Sequence, residues 1–252
     1  MINDNIQFKK IKSDNSITDF VDCFWKVDNQ TGFDKKVVVL PDANFDLVIS
    51  KTIGVPLFIS LMGLNTRVDE TIIKANTRIF LINFKLFAAE FLFQDIIANF
   101  INSYKKLPNN FWSIEENDLN DFDKFCKKMT LTIQQLLPTE IDRRKQKLSE
   151  LLYSSVDSFT VKEISEQVFW SSRQINRYFT KYFGISLKEY MNILRFKASL
   201  RQIDQGKLFP EQNYFDQAHF SREVKKITGV NLRELYKNKN DRFIQVSLMG
   251  ED

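Results

Sequence analysis

TVKEISEQVFWSSRQINRYFTKYFGISLKEYMNILRFKASLRQIDQG, residues 160–206, is the stretch on which the fold of this chain turns. Thr160 can cap a short helix whose apolar positions are Val161, Ile164 and Val168, at i, i+3 and i+7. A tight connection through Trp170 follows. Ser171 with Gln174 then forms the Ser-x-x-Gln pattern of a capping box, which opens a second helix. That helix carries Ile175, Tyr178, Phe179, Tyr182 and Phe183 along one side, the spacing of a face that packs. Gly184 suits the left-handed residue that ends a helix. A third, longer helix opens at the box Ser186-x-x-Glu189 and runs to just before Gly206. The pattern is helix-turn-helix, then a long helix.

The other side of the second helix shows Arg173, Asn176, Arg177, Thr180 and Lys181. An α-helix fits the major groove of B-DNA, where Arg reads guanine and Asn reads adenine through paired hydrogen bonds. Lys181 lies further along, toward the phosphates. Any surface helix exposes such residues, so one helix alone decides nothing. The unit, however, recurs 45 positions later. Ser171 matches Asp216, Ile175 matches Phe220, Arg177 matches Arg222 and Phe179 matches Val224. GISLKEY (184–190) aligns with GVNLREL (229–235), so cap, glycine and following helix start repeat in register. Two copies of one supersecondary unit are hard to obtain by chance.

Paired units joined by a long helix resemble the DNA-binding tail of AraC-type bacterial transcription regulators. The resemblance covers residues 159–236. It is carried by Ser171, Ile175, Arg177 and Phe179, then Gly184-Ile185-Ser186, Tyr190, Arg195 and Ala198, then Tyr214-Phe215-Asp216-Gln217-Ala218-His219-Phe220, Lys225 and Gly229. It implies a DNA-contacting set of Arg173, Gln174, Asn176, Arg177, Thr180 and Lys181 in the first unit. In the second unit the set is Gln217, His219, Ser221 and Arg222. It also implies double-stranded DNA as partner, a small-molecule effector of unspecified identity, homodimerisation and contact with RNA polymerase. One departure stands out: only Leu208–Asn213, with Pro210 inside, is left for the positioning helix of the second unit. One turn starting near Pro210 would fit. Recognition by the second unit is therefore expected to be the looser of the two.

Charge supports this division. Residues 141–252 hold 20 basic against 14 acidic side chains, +6, while residues 1–140 come to −2, within a total of +4. A phosphate-facing module needs such a bias. Two cysteines far apart, Cys23 and Cys126, suggest no disulfide framework and fit a reducing cytoplasm. The opening residues lack the apolar segment of a signal peptide. The longest apolar run, 79–93, is broken by Asn83, Lys85 and Glu90 and is not expected to cross a membrane. His219 is the only histidine, too few for a histidine-rich metal site or a Ser–His–Asp or Cys–His pair, and no glycine-rich phosphate loop occurs. No enzymatic activity, metal or cofactor is expected. Asp42 and Asp46, four residues apart, are read as turn caps.

The first hundred residues read as strands, with β-branched and apolar runs at 36–40, 45–50, 57–62, 71–74 and 78–84 separated by turn signals. From residue 94 the spacing turns helical: Ile96 to Tyr104, then Leu119 to Leu137, then Ile141 to Leu152 beneath a solvated Arg143–Lys147 face. The expected fold is α+β: a small antiparallel β sandwich or barrel with helices, then an all-α double helix-turn-helix domain. The expected division is a β-rich regulatory domain over 1–93, a helical connecting region over 94–153, the DNA-binding domain over 154–238 and a tail over 239–252. Two other functions stay open: a DNA-associated enzyme, or a protein-interaction module with a degenerate second unit.

Overall fold

The computed structural model describes residues 6–154, 159–209, 214, 216–237 and 243. The β-rich half and the helical tail both form, so the fold is α+β. Strands β1 (Gln7–Lys12), β2 (Val21–Asn29), β4 (Asn44–Thr52), β5 (Phe58–Met62), β7 (Thr77–Lys85) and β8 (Tyr104–Lys106) make one antiparallel sheet, ordered β1-β2-β7-β4-β5-β8. Strands β3 (Lys35–Val39) and β6 (Asp69–Ile73) pair separately. The five strands expected from alternation are all present. The strands β1, β2 and β8 were not anticipated.

Helix α1 (Ala88–Phe91) leaves the end of β7, and α2 (Phe122–Leu136) lies along the sheet. Phe80 of the sheet meets Phe122 of α2 edge to face at 4.9 Å and Phe125 at a tilt at 5.1 Å, so the two layers share one aromatic core. The helix expected over Ile96–Tyr104 does not form. Asn102 there takes a left-handed backbone (φ 51°), and its side-chain oxygen accepts the Thr66 amide hydrogen. The chain instead makes a 3-10 turn at Ile97–Phe100 and then adds β8 to the sheet. This part of the expected connecting region belongs to the β layer.

The remaining helices are α3 (Arg143–Ser154), α4 (Val161–Val168), α5 (Ser172–Phe183), α6 (Leu187–Asp204), α7 (Gln217–Thr228) and α8 (Leu232–Tyr236). Helix α3 packs on α4, with Leu148, Leu151 and Leu152 buried. Its basic face is not simply solvated: Lys145 pairs with Glu90, and Arg144 bonds Asp142 and lies over Trp170.

Both units of the tail lean on the β half. Around the first, Phe87 meets Tyr178, Phe179 and Phe183 at centroid distances of 6.2, 6.4 and 5.8 Å. Around the second, Val38 and Leu40 join Phe196, Leu200, Ile203, Phe220, Val224 and Leu235 in one buried cluster. Among the described residues no helix is long and apolar enough to cross a membrane.

Candidate nucleic-acid interface

Local rules build the first unit. The Thr160 side chain accepts the Glu163 amide hydrogen and the Glu163 carboxylate accepts that of Thr160, so both ends of the first capping box are closed. Ser171 and Gln174 close the second in the same way. Between them Phe169 takes the left-handed conformation (φ 56°) and turns the chain from α4 into α5. Gly184 does the same at the end of α5 (φ 75°), its N–H donating to the carbonyls of Phe179 and Thr180.

The back of α5 is anchored. Ile175, Tyr178, Phe179 and Phe183 are buried. The Tyr178 hydroxyl donates to Glu90 at 2.6 Å, and the other oxygen of that carboxylate takes Lys145. Burial, reinforced by this carboxylate, pushes the Tyr178 hydroxyl well above its ordinary pKa. Gly184 touches the 96–101 segment so closely that an added Cβ would lie 2.5 Å from Ile101 Cδ1 and 3.2 Å from Ala98. The helix is thus held by its apolar face, its cap and its terminal glycine, while its polar face looks outward.

On that face Arg173, Arg177, Thr180 and Lys181 are exposed. Among the described residues Arg173 and Arg177 carry no protein hydrogen bond or ion pair. Lys181 lies 5.0 Å from the Tyr182 ring, its ammonium still at the surface. The two arginines are one turn apart and the lysine one turn further on, a row of cations along the helix.

Two residues expected in this row have other work. Gln174 uses its side-chain oxygen to accept from the Ser171 N–H and hydroxyl, so that oxygen belongs to the cap. Asn176 is committed at both ends of its amide. Its nitrogen donates to the Ser172 carbonyl at 2.9 Å, and its oxygen accepts the Leu187 N–H at 3.1 Å. A bidentate contact to adenine needs that donor and acceptor together. Asn176 instead ties α5 to the first turn of α6, satisfying one of the helix-start N–H groups that lack an internal partner.

The second unit repeats the scaffold less openly. Asp216 caps α7 by accepting the His219 N–H, and Gly229 ends it at φ 74°. Arg222 is exposed, while His219 and Ser221 are half-buried. The His219 ring stands edge-on to Tyr214, at 5.7 Å. Gln217 departs from expectation: its amide nitrogen donates inward to the Leu208 carbonyl and its oxygen is buried. The expected turn of positioning helix over 210–213 lies outside the described residues, as do Phe215 and all of the tail but Phe243.

Connecting the units, α6 has 18 residues, or about 27 Å at 1.5 Å per residue. Ser186 caps it, accepting the Glu189 N–H, which is one half of the capping box expected there. Sequence reasoning had no signal for what holds α6 in place: the Tyr190 hydroxyl donates to the Ala43 carbonyl, and Lys197 pairs with Asp22 at 2.6 Å. Both partners lie in the β half, more than a hundred residues away. Among the described residues no group of three or more His, Cys, Asp or Glu side chains could hold a metal ion.

A family model described as a domain of unknown function, DUF6597, matches residues 9–105. Comparison with curated proteins gives no match. Among solved structures the chain is similar to ToxT from Vibrio cholerae, at 14% identity over 92% of this chain and 96% of that one, with a TM-score of 0.43. It is similar also to ToxT with unsaturated fatty acid bound, at 13% identity over 94% and 97% of the two chains, with a TM-score of 0.39.

Proposed function

We propose that the chain is a sequence-specific DNA-binding transcription regulator of the AraC type, whose β half governs the tail through an effector or a partner. The observation that carries this reading is α5: a doubly capped helix with a buried aromatic back and an exposed row of Arg173, Arg177, Thr180 and Lys181. Lodged in a major groove, such a helix puts Arg173 and Arg177 at base edges and Lys181 toward phosphate.

In α7 the exposed cation is Arg222, with Lys225 and Lys226 in the last turn. We assign the second unit mainly backbone contacts, because Gln217 faces inward. With about 27 Å of α6 between the units, one chain would address two successive major grooves, roughly 34 Å apart. No enzymatic activity is assigned.

Salt dependence tests the proposal. If about six phosphates are neutralised, log K falls with log salt at a slope of about −5. Fluorescence anisotropy on a labelled duplex at increasing salt measures it. A slope near zero, or no binding at low salt, would remove the DNA-binding role.

A further inference from the structure

Between the end of β7, α1 and α3 lies a cavity of about 90 Å³, open to solvent on one side. Phe20, Phe87, Phe91 and Ile141 give it apolar walls. Lys85, the last residue of β7, and Tyr153 of α3 stand in the same lining. Lys85 is half-buried. Its ammonium lies 5.0 Å from the Tyr153 ring, with no carboxylate in ion-pair range among the described residues. The other lysine of the lining, Lys145, is already paired with Glu90.

A charge withdrawn from water without a counterion is costly. Burial accordingly holds the Lys85 ammonium below the pKa of a free lysine, against Asp22 and Asp19, which pull it up, and with Lys197, which pushes it down. At the mouth, the Ser149 hydroxyl and the Gln146 amide make no side-chain hydrogen bond among the described residues. Asp19 and Glu150 are exposed at the same rim. The cavity therefore offers one uncompensated cation, two spare polar groups and a greasy wall, under a rim that repels further negative charge.

We propose that this cavity binds a small organic monocarboxylate, with its carboxylate on the Lys85 ammonium and its apolar body against Phe20, Phe91 and Ile141. At roughly 10–15 Å³ for each water-sized group, the space takes about six to nine non-hydrogen atoms. One cation balances one negative charge, and the acidic rim disfavours a second. The lining also reaches the tail. The Tyr153 hydroxyl accepts the Leu86 N–H at 2.9 Å and meets the Tyr190 hydroxyl of α6 at 2.5 Å. Tyr190 in turn donates to Ala43. A ligand seated on Lys85 and Tyr153 braces the place where β7, α3 and α6 join. As an effector it rests on the regulator reading above; as a ligand of the cavity it does not.

Calorimetric titration of the full chain without DNA tests the site, with isovalerate and benzoate as probes. Both should bind. Isovaleramide and benzamide, of the same shape without the charge, should bind at least about tenfold more weakly. So should succinate, with its second charge, and biphenylcarboxylate, which exceeds the cavity. Lys85→Met should lose about tenfold or more in affinity for benzoate. Nitrogen NMR of the unaltered chain needs no variant to fold: benzoate should raise the pKa of the Lys85 ammonium, because it supplies the missing counterion. The site is overturned if neither probe binds at millimolar concentration or if a comparator binds as tightly as the probes. It is equally overturned if Lys85→Met keeps the affinity or if the Lys85 titration ignores benzoate. With no DNA present, failure here leaves the DNA-binding role standing, and failure to bind DNA leaves the cavity standing.

Discussion

At Phe169 the turn between α4 and α5 places a phenyl group, 87% exposed, on a backbone at φ 56°. A bulky residue in this region costs about 1–3 kcal/mol, and the exposed ring recovers little by packing. Glycine carries no such penalty, although it loses about 0.5–1 kcal/mol more conformational entropy on folding. Phe169→Gly should therefore raise stability by about 0.5–1 kcal/mol, read from the urea midpoint at unchanged slope. A loss of stability would mean that the ring is held by something absent from the structure.

Asn176 and Arg177 make a sharper pair at the same scale. Asn176→Ala removes two internal hydrogen bonds, one holding the start of α6. It should cost about 1–3 kcal/mol of stability and weaken binding to all DNA sequences alike. Arg177→Ala or Arg173→Ala should leave stability nearly unchanged, since both side chains are exposed. Each should change which bases are preferred, at about 1–3 kcal/mol per good contact. Denaturation and binding-site selection on the same variants separate the two effects. That Asn176 stands on the outward side was legible in its spacing. That its amide is spent on Leu187 was not, because the bond depends on how α6 leaves Gly184.

Among elements, the two terminal glycines allow a controlled comparison. Gly184 and Gly229 have nearly the same backbone, φ 75° and 74°. A Cβ at Gly229 would meet nothing within 4 Å, whereas at Gly184 it would press on Ile101 and Ala98. Both Gly→Ala changes pay about 1 kcal/mol for the left-handed backbone. Gly184→Ala should cost a further 1–3 kcal/mol from overpacking. Equal losses in a denaturation series would show that α5 does not seat against the 96–101 segment. Helices α4 to α7 were legible because caps, glycines and apolar stripes are all local signals. Strands β1 and β2 were not: Lys9, Lys10 and Lys12 leave β1 only two apolar residues, and Asp22, Lys26 and Asp28 break up any continuous apolar run in β2. Those charges are accommodated by distant partners: Asp28 lies 3.0 Å from Arg78, and Asp22 pairs with Lys197. The stripe Ile96–Tyr104 has helical spacing yet forms a turn and a strand, because Asn102 and the edge of β5 offer better partners than a helix would.

For the whole molecule, the β half acts as a frame for the tail. It covers the back of α5 through Phe87 and Glu90, grips α6 through Ala43 and Asp22, and meets the second unit through Val38 and Leu40. A fragment starting near Arg143 would expose the aromatic faces of Tyr178, Phe179 and Phe183 and strip Lys145 of Glu90. It should unfold at a clearly lower urea concentration than the full chain and tend to associate. A fragment as stable as the full chain would show that the frame is dispensable. Charge asymmetry and the repeated unit made a β-rich half and a helical half legible, but their mutual contacts join residues as far apart as 88 positions for Tyr178 and Glu90 and 175 for Lys197 and Asp22, and leave no periodic trace.

The claim that α5 reads DNA is tested most directly by selecting binding sites from a random duplex library, with the full chain and with Arg177→Ala. The account predicts one enriched consensus for the parent chain and loss of information at one or two adjacent positions of it for the variant. Absence of any enriched sequence, or a variant consensus identical to the parent's, would contradict it.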